Sequence, residues 1–207
     1  MAWLGLFLAL GTLDLKSQSP SPLKLVALGD SLTAGYALPG TDSFPAQLER
    51  LLRDRGHEVR VTNAGVSGDT TAGGLARLDW SVPDGTDGVI LELGANDALR
   101  GLDPAAAERN LEQMLQRLHT RAIPVLLAGM IAPRNLGPDY VSAFDGIYPR
   151  LAAKYNVVFY PFFLEGMMGN PALDIGDRLH PNADGVAVIA KGILPQVEAL
   201  IARIRGK

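Results

Sequence analysis

Five short apolar runs, separated by segments with helical periodicity, limit the fold of this chain more than any other feature of its sequence. The runs occupy residues 25–28, 59–61, 89–93, 125–127 and 157–159. Apolar runs that alternate with helical segments are typical of βα units around a parallel sheet. The sequence therefore predicts an α/β fold, a three-layer α/β/α sandwich with a five-stranded parallel sheet. By analogy with flavodoxin-like folds, we expect the strand order 2-1-3-4-5.

Helix signals mark the segments between these runs. Asp103 is a good helix cap, and Pro104 follows it at the first helical position. The last helix is expected to begin after Asn182 and to run toward the C-terminus. Pro149 and Pro195 fall within apolar helical stripes. We expect each proline to kink or shorten its helix, because proline lacks an N–H donor.

Composition predicts one globular domain and excludes several functions. Of 207 residues, 47% are hydrophobic and 20% are charged, which is ordinary for a chain that buries one sizeable core. The net charge is -3 and no basic run could follow a phosphate backbone, so we expect no nucleic-acid partner. The chain has no cysteine, and its three histidines lack an HExxH spacing. We therefore expect neither disulfides nor a protein-bound catalytic metal.

The N-terminus differs in composition from the rest of the chain. Residues 1–10 form an apolar run, and residues 17–22 are rich in serine and proline. This arrangement resembles a signal peptide without its basic n-region, and a leading helix or a frayed tail would have the same pattern. The run is too short to span a bilayer, so we expect no stable membrane insertion. The predicted division is an N-terminal segment at 1–22 and a folded domain at 23–207.

Polar motifs follow the predicted strands where these end. Ser31 comes directly behind the first strand, residues 63–69 follow the second, and residues 94–97 follow the third. Asp177 and His180 come after the fifth strand. The carboxyl ends of parallel strands lie at one edge of a sheet, and open α/β folds bind ligands there. We therefore expect these segments to meet in one crevice.

Ser31, Asp177 and His180 are candidates for a catalytic triad. A serine hydroxyl is a poor nucleophile until a histidine removes its proton. Asp177 precedes His180 by three residues, so its carboxylate can reach one ring nitrogen while the other faces the crevice. The alternative is that Asp30 and Ser31 only cap a helix or turn, with Asp177 as a second cap and His180 on the surface. The three residues taken together favour catalysis.

An acyl transfer also needs hydrogen-bond donors that face the oxyanion. The candidates are the backbone N–H groups of Ser31 and Gly65 and the side-chain amide of Asn96. Alternatively, Gly65 is a glycine because its turn requires a positive φ angle, and Asn96 only shapes a turn. Their position at strand ends beside the serine favours the donor role.

An apolar acyl pocket is expected from two segments that follow strands, 130–140 and 162–168. Methionine and other apolar side chains are suited to line such a pocket. The same side chains would also suit an ordinary core or a contact within a homo-oligomer. The candidate pocket residues are Met130, Ile131, Phe163, Leu164, Met167 and Met168.

Four sequence blocks carry these candidates in a fixed order. They are GDSLTAGY at 29–36, NAGVSGDTTAGG at 63–74, LGANDALRG at 93–101 and DRLHPN at 177–182. In these blocks the chain resembles the SGNH (GDSL-type) hydrolases, and in particular the bacterial arylesterase, thioesterase I and lysophospholipase L1 group. The similarity extends from residue 23 to residue 197.

The resemblance implies a role for each candidate residue. The implied roles are nucleophile for Ser31, general base and acid for His180, orienting carboxylate for Asp177, and oxyanion donors for Ser31, Gly65 and Asn96. This family commonly has glycine after the triad aspartate, whereas this chain has Arg178. We therefore expect a different loop geometry or a different access to the crevice.

The resemblance also implies a substrate class. The group acts without a cofactor on carboxylic esters and thioesters, so we expect a small-molecule ester with a short to medium acyl or aryl group, an acyl thioester or a lysophospholipid. It also favours a periplasmic or secreted protein over a cytoplasmic one.

Two other functions stay open. An acyltransferase would use the same residues, and a non-catalytic flavodoxin-like module would bind a phosphate group in the loop 65–74. Asp69 would repel such an anion, and the chain has neither a Walker A motif nor a dinucleotide fingerprint.

Overall fold

The computed structural model describes Met1 and residues 21–206, and its centre is a five-stranded sheet. The strands are β1 (Leu23–Gly29), β2 (Val59–Gly65), β3 (Gly88–Glu92), β4 (Val125–Ala128) and β5 (Val158–Tyr160). They lie in the order β2-β1-β3-β4-β5, and every neighbouring pair is parallel. The predicted fold class and strand order are therefore confirmed. The predicted apolar N-terminal run lies outside the described residues, Met1 excepted.

Helices cover both faces of this sheet. They are α1 (Ser31–Ala34), α2 (Phe44–Asp54), α3 (Thr71–Ala76), α4 (Leu78–Ser81), α5 (Ala95–Leu99), α6 (Pro104–Thr120), α7 (Pro138–Asp145), α8 (Ile147–Tyr155) and α9 (Ala183–Arg205). α2 and α9 pack against each other in one layer, while α3, α6 and α8 form the other. Strands β3 and β4 are buried along their whole length, as expected for a parallel sheet covered on both faces.

The start of α6 follows the sequence signals closely. The Asp103 side chain accepts a hydrogen bond from the Ala105 N–H at 3.0 Å, and Pro104 takes the first helical position. There the missing N–H costs nothing, because the first N–H groups of a helix have no partner within it. The buried stripe of α6 is Ala107, Leu111, Met114, Leu115 and Leu118.

Neither proline ends its helix, and the kink expected at Pro195 stays a prediction. The helical stripe around Pro149 is interrupted, but the break lies at Gly146, between α7 and α8. Pro149 sits in the first turn of α8, where no intrahelical hydrogen bond is lost. α9 runs through Pro195 as one helix. By length and composition α9 resembles a membrane span, yet half of its most apolar window is buried against α2 and the sheet, so it is a core helix.

Strand β2 is longer than its apolar run. Asn63, Ala64 and Gly65 continue the pairing with β1, where they lie opposite Ala27, Leu28 and Gly29. The loop that follows this strand therefore begins at Val66 and not at Asn63. β2 is an edge strand, and its residues after Val61 are exposed or half-buried, so hydropathy alone did not reveal its end.

Candidate active site

The turn between β1 and α1 carries the candidate nucleophile. Ser31 is the first residue of α1 and is buried, and the Asp30 carboxylate caps this helix. Gly29 precedes them at the end of β1. A Cβ at Gly29 would lie 2.1 Å from Thr33 Oγ1 and 2.4 Å from Glu92 Oε2. Only glycine therefore fits where the strand turns into the helix.

The structure brings the three predicted triad residues into contact. His180 Nε2 lies 3.0 Å from Ser31 Oγ, although the two residues are 149 positions apart. His180 Nδ1 lies 2.6 Å from Asp177 Oδ2. Asp177 also acts as a cap, because its Oδ1 accepts the N–H groups of Leu179 and His180 at 2.9 and 2.8 Å. Asp177 therefore caps its loop and also contacts His180 with the geometry of a triad carboxylate.

The Asp177 carboxylate is held in its ionised form. Burial raises its pKa, but hydrogen bonds from the His180 N–H, the His180 ring and the Leu179 N–H outweigh this effect and lower the pKa to about 2. A carboxylate beside Nδ1 favours the tautomer that carries its hydrogen there. His180 Nε2 is then free to accept the Ser31 proton.

Asn96, in the first turn of α5, reaches the turn between β1 and α1. Its Nδ2 donates to Asp30 Oδ2 at 3.0 Å and to the Asp69 carbonyl at 2.9 Å. Both amide hydrogens therefore have acceptors, and an oxyanion would have to compete for one of them. The Ser31 N–H is the first amide of α1, and such amides have no acceptor within their own helix.

Gly65 does not fit the predicted role of oxyanion donor. Its N–H donates to Asn63 Oδ1 at 2.9 Å. A Cβ at Gly65 would lie 2.3 Å from the Ala34 N atom and 2.8 Å from the Asp30 carbonyl oxygen, and Gly65 is not among the glycines with positive φ. It is a glycine because the backbone of α1 packs directly against it.

Gly68 is a better candidate, and it was missed in the sequence. It has a φ of 85° in the loop after β2, and its carbonyl accepts a hydrogen bond from Arg100 at 2.8 Å. The next carbonyl, that of Asp69, contacts Asn96, which places this loop beside the other candidate donor. Among the described residues, no acceptor is found for the Gly68 N–H. The signal for it was the Ser-Gly-Asp sequence at 67–69.

An apolar cavity opens beside Ser31 and His180. Its volume is about 630 Å³, and it includes Asp30 and Asn96 at the polar end. Four of the six predicted pocket residues line it: Met130, Ile131, Leu164 and Met168. The sequence analysis missed other apolar side chains of the lining, among them Leu99, Phe162 and Leu179.

Phe163 and Met167 do not line this cavity, contrary to the expectation. They are 0% and 2% exposed. Phe163 packs edge-to-face against Phe44 of α2, with ring centroids 4.9 Å apart. The segment 162–168 forms turns, so neighbouring side chains face different sides, and Phe162 and Leu164 face the cavity while Phe163 enters the core.

Comparison with known proteins assigns the family. The model of the GDSL-like Lipase/Acylhydrolase family matches residues 27–188. The chain belongs to this family. Esterase TesA of Pseudomonas aeruginosa is 37% identical over 190 residues, which cover 91% of this chain and 94% of that protein. Thioesterase 1/protease 1/lysophospholipase L1 of Escherichia coli K12 is 38% identical over 179 residues, 86% of this chain and 84% of that protein.

Solved structures agree with this assignment. AlinE4, an SGNH-hydrolase family esterase, has 47% identity and a TM-score of 0.75, covering 88% of this chain and 98% of that chain. The crystal structure of TesA has 38% identity and a TM-score of 0.81, covering 86% and 99%. The predicted SGNH (GDSL-type) resemblance and the class of ester-bond hydrolase are confirmed.

In this GDSL hydrolase, the loop that carries Asp177 and His180 holds Arg178 in an unusual backbone conformation. Arg178 has a φ of 63°, in the left-handed region that glycine adopts without cost. Holding a non-glycine residue there costs about 1–2 kcal/mol. The distances between Asp177, His180 and Ser31 are compatible with a catalytic triad despite this strain.

Tyr36 is a further neighbour of the hydrolase's candidate base. Its ring lies 4.5 Å from the His180 ring, centroid to centroid, at an interplanar angle of 37°. Within residues 21–206, no cluster of three or more His, Asp or Glu side chains is arranged to hold a metal ion.

Proposed function

We propose that this GDSL hydrolase cleaves carboxylic esters through an acyl-enzyme on Ser31. The observation that carries the proposal is the 3.0 Å separation of Ser31 Oγ and His180 Nε2, with Asp177 2.6 Å from the other ring nitrogen. Ser31 Oγ attacks the acyl carbonyl while His180 Nε2 accepts its proton. His180 then protonates the departing alcohol or thiol. Water, activated by the same imidazole, releases the acid.

Three donors are proposed for the oxyanion: the Ser31 N–H, the Gly68 N–H and Asn96 Nδ2. The negative oxyanion would take one Asn96 hydrogen from the neutral Asp69 carbonyl, because a hydrogen bond to a charged acceptor is about twice as strong as one to a neutral acceptor. Loss of one such donor costs about 2.7–4 kcal/mol of transition-state stabilisation.

The proposed substrates are esters whose acyl or aryl group occupies the apolar cavity. Its volume of about 630 Å³ suits short to medium acyl groups, and its side chains are mostly aliphatic. Relatives named arylesterase, from Vibrio mimicus, and thioesterase 1/lysophospholipase L1 support carboxylic esters and thioesters as the class.

The test combines a serine probe with a substrate panel. We expect a fluorophosphonate to label the wild-type protein but not Ser31→Ala, and Ser31→Ala to lose several orders of magnitude in turnover of p-nitrophenyl esters and acyl-CoAs. Unchanged turnover in Ser31→Ala would refute the mechanism. A competing alcohol acceptor distinguishes a hydrolase from an acyltransferase, because an acyltransferase would form the new ester in preference to the free acid.

Export is proposed from the sequence of residues 1–22. Their apolar run and polar linker have the composition of a signal peptide, and they precede β1 directly. Expression of the full chain in a Gram-negative host followed by N-terminal sequencing of the periplasmic fraction tests this. An intact N-terminus on protein found in the cytoplasm would contradict it.

A further inference from the structure

A buried carboxylate connects the nucleophile turn to the candidate oxyanion donor, and the mechanism above gives it no task. Asp30 is 0% exposed. Its Oδ1 accepts the Leu32 N–H at 3.0 Å, and its Oδ2 accepts Asn96 Nδ2 at 3.0 Å. Asp30 thus fixes the distance between the first turn of α1, which begins with Ser31, and the Asn96 amide.

A second buried carboxyl, that of Glu92, contacts the turn between β1 and α1. Glu92 is 1% exposed, and its Oε2 accepts hydrogen bonds from Thr33 Oγ1 at 2.7 Å and from the Asp30 N–H at 3.3 Å. Its Oε1 is buried without a hydrogen-bond partner in the described part of the chain. An ionised carboxylate with an unpaired oxygen in the core is costly, so burial favours the neutral acid form of Glu92.

Burial, hydrogen bonds and nearby charges together set the pKa values of Asp30 and Glu92. Burial raises the pKa of Asp30 to about 6, against the hydrogen bonds from Leu32 and Asn96, while His180 lowers it and Asp69 raises it. Burial, and then Asp30 itself, raise the pKa of Glu92 well above its ordinary value. Two neighbouring carboxyls in a core cannot both ionise cheaply, and here Glu92 keeps the proton. Asp30 is therefore the member of the pair that can act as a negative acceptor.

We propose that Asp30 is a positioning residue that orients the Asn96 amide toward the oxyanion, while Glu92 holds the same turn through the hydrogen bonds that it accepts from Thr33 and from the Asp30 N–H. This inference rests on the proposed function. Asp30 takes one amide hydrogen of Asn96, so the nitrogen stays beside Ser31 and its second hydrogen is the one exchanged between the Asp69 carbonyl and the oxyanion. Such preorganised donors need no rearrangement during the reaction.

The test is a double-mutant cycle between Asp30→Asn and Asn96→Ala. In Asp30→Asn the side-chain oxygen still accepts the Leu32 N–H, but an NH₂ group then faces Asn96 Nδ2, so two donors oppose each other. We expect kcat for p-nitrophenyl butyrate to fall about 10²-fold, approaching the loss of an oxyanion donor, with KM nearly unchanged. In the Asn96→Ala background, Asp30→Asn should cause little further loss, because both changes act on one group.

Matched controls separate the possible failures. Asp84→Asn makes the same chemical change on an exposed side chain far from the site and should leave kcat unchanged. Wild-type kcat in Asp30→Asn, or losses that multiply in the double mutant, would overturn the positioning role. If Asp30→Asn folds poorly, Asp30→Ser replaces it in the same cycle, because a serine can still cap α1 through the Leu32 N–H but has no second oxygen for Asn96 Nδ2, and the same fall in kcat is expected. Activity retained by Ser31→Ala would instead overturn the proposed function.

Discussion

Replacement of Asp177 by asparagine is the sharpest test of the triad. Asp177 Oδ1 accepts two backbone N–H groups, and Oδ2 contacts His180 Nδ1 at 2.6 Å. In Asp177→Asn the amide oxygen can keep both backbone hydrogen bonds, so the loop should persist. The NH₂ group then faces Nδ1 and requires it to be an acceptor, which places the ring hydrogen on Nε2. An imidazole in this tautomer cannot accept the Ser31 proton.

The expected loss in kcat is about 10⁴-fold, as for the equivalent change in a Ser-His-Asp protease, which corresponds to about 5.4 kcal/mol. The assay is steady-state hydrolysis of p-nitrophenyl acetate at neutral pH, with the melting temperature as the readout for the loop. Asp174→Asn is the matched control on the same loop, because the Asp174 side chain accepts the Gly176 N–H at 2.6 Å, whereas the His180 ring is hydrogen-bonded to Asp177 and Ser31. A kcat for Asp177→Asn within tenfold of the wild type, in a folded protein, would refute the argument.

Three further changes test the cavity, the packing glycine and the buried acid. Met168→Trp, at the cavity lining, should reduce kcat/KM about fourfold for each acyl methylene it excludes, and equal effects on acetate and octanoate esters would argue against the cavity as the acyl site. Gly65→Ala should destabilise the fold by about 1–3 kcal/mol in urea unfolding, because the added Cβ meets the backbone of α1, whereas Gly40→Ala, with open space around it, should be neutral. Glu92→Gln should gain stability relative to the wild type between pH 4 and pH 7. Burial raises the folded-state pKa of Glu92, so the wild type loses stability as the unfolded chain ionises above its ordinary pKa of 4.5. Melting temperatures that show the opposite trend would contradict a neutral Glu92.

The sequence alone predicted the parallel sheet and the edge of it at which the triad candidates lie. Alternating apolar runs and helical stripes predict a parallel sheet, and in such a sheet every strand ends at the same edge. Ser31 and His180 are therefore expected at the same edge, but β3 and β4 lie between their strands. Only the structure shows that the loop after β5 brings His180 Nε2 to 3.0 Å from Ser31 Oγ. The start of α6 at Asp103 and Pro104 could also be predicted from the sequence, because a helix cap acts within one turn.

Only the tertiary structure showed which way particular side chains point and where two backbone segments pack closely together. Phe163 and Met167 lie in turns without a period, so the sequence did not show that they enter the core and that Phe162 faces the cavity. Gly65 does not fit the predicted role of oxyanion donor, because the backbone of α1 packs against it and its N–H donates to Asn63 Oδ1. The pairing of Asp30 with Glu92 joins two strand ends, and no local pattern encodes such a contact. Periodicity is a property of short segments, whereas the partners of a side chain depend on everything packed around it.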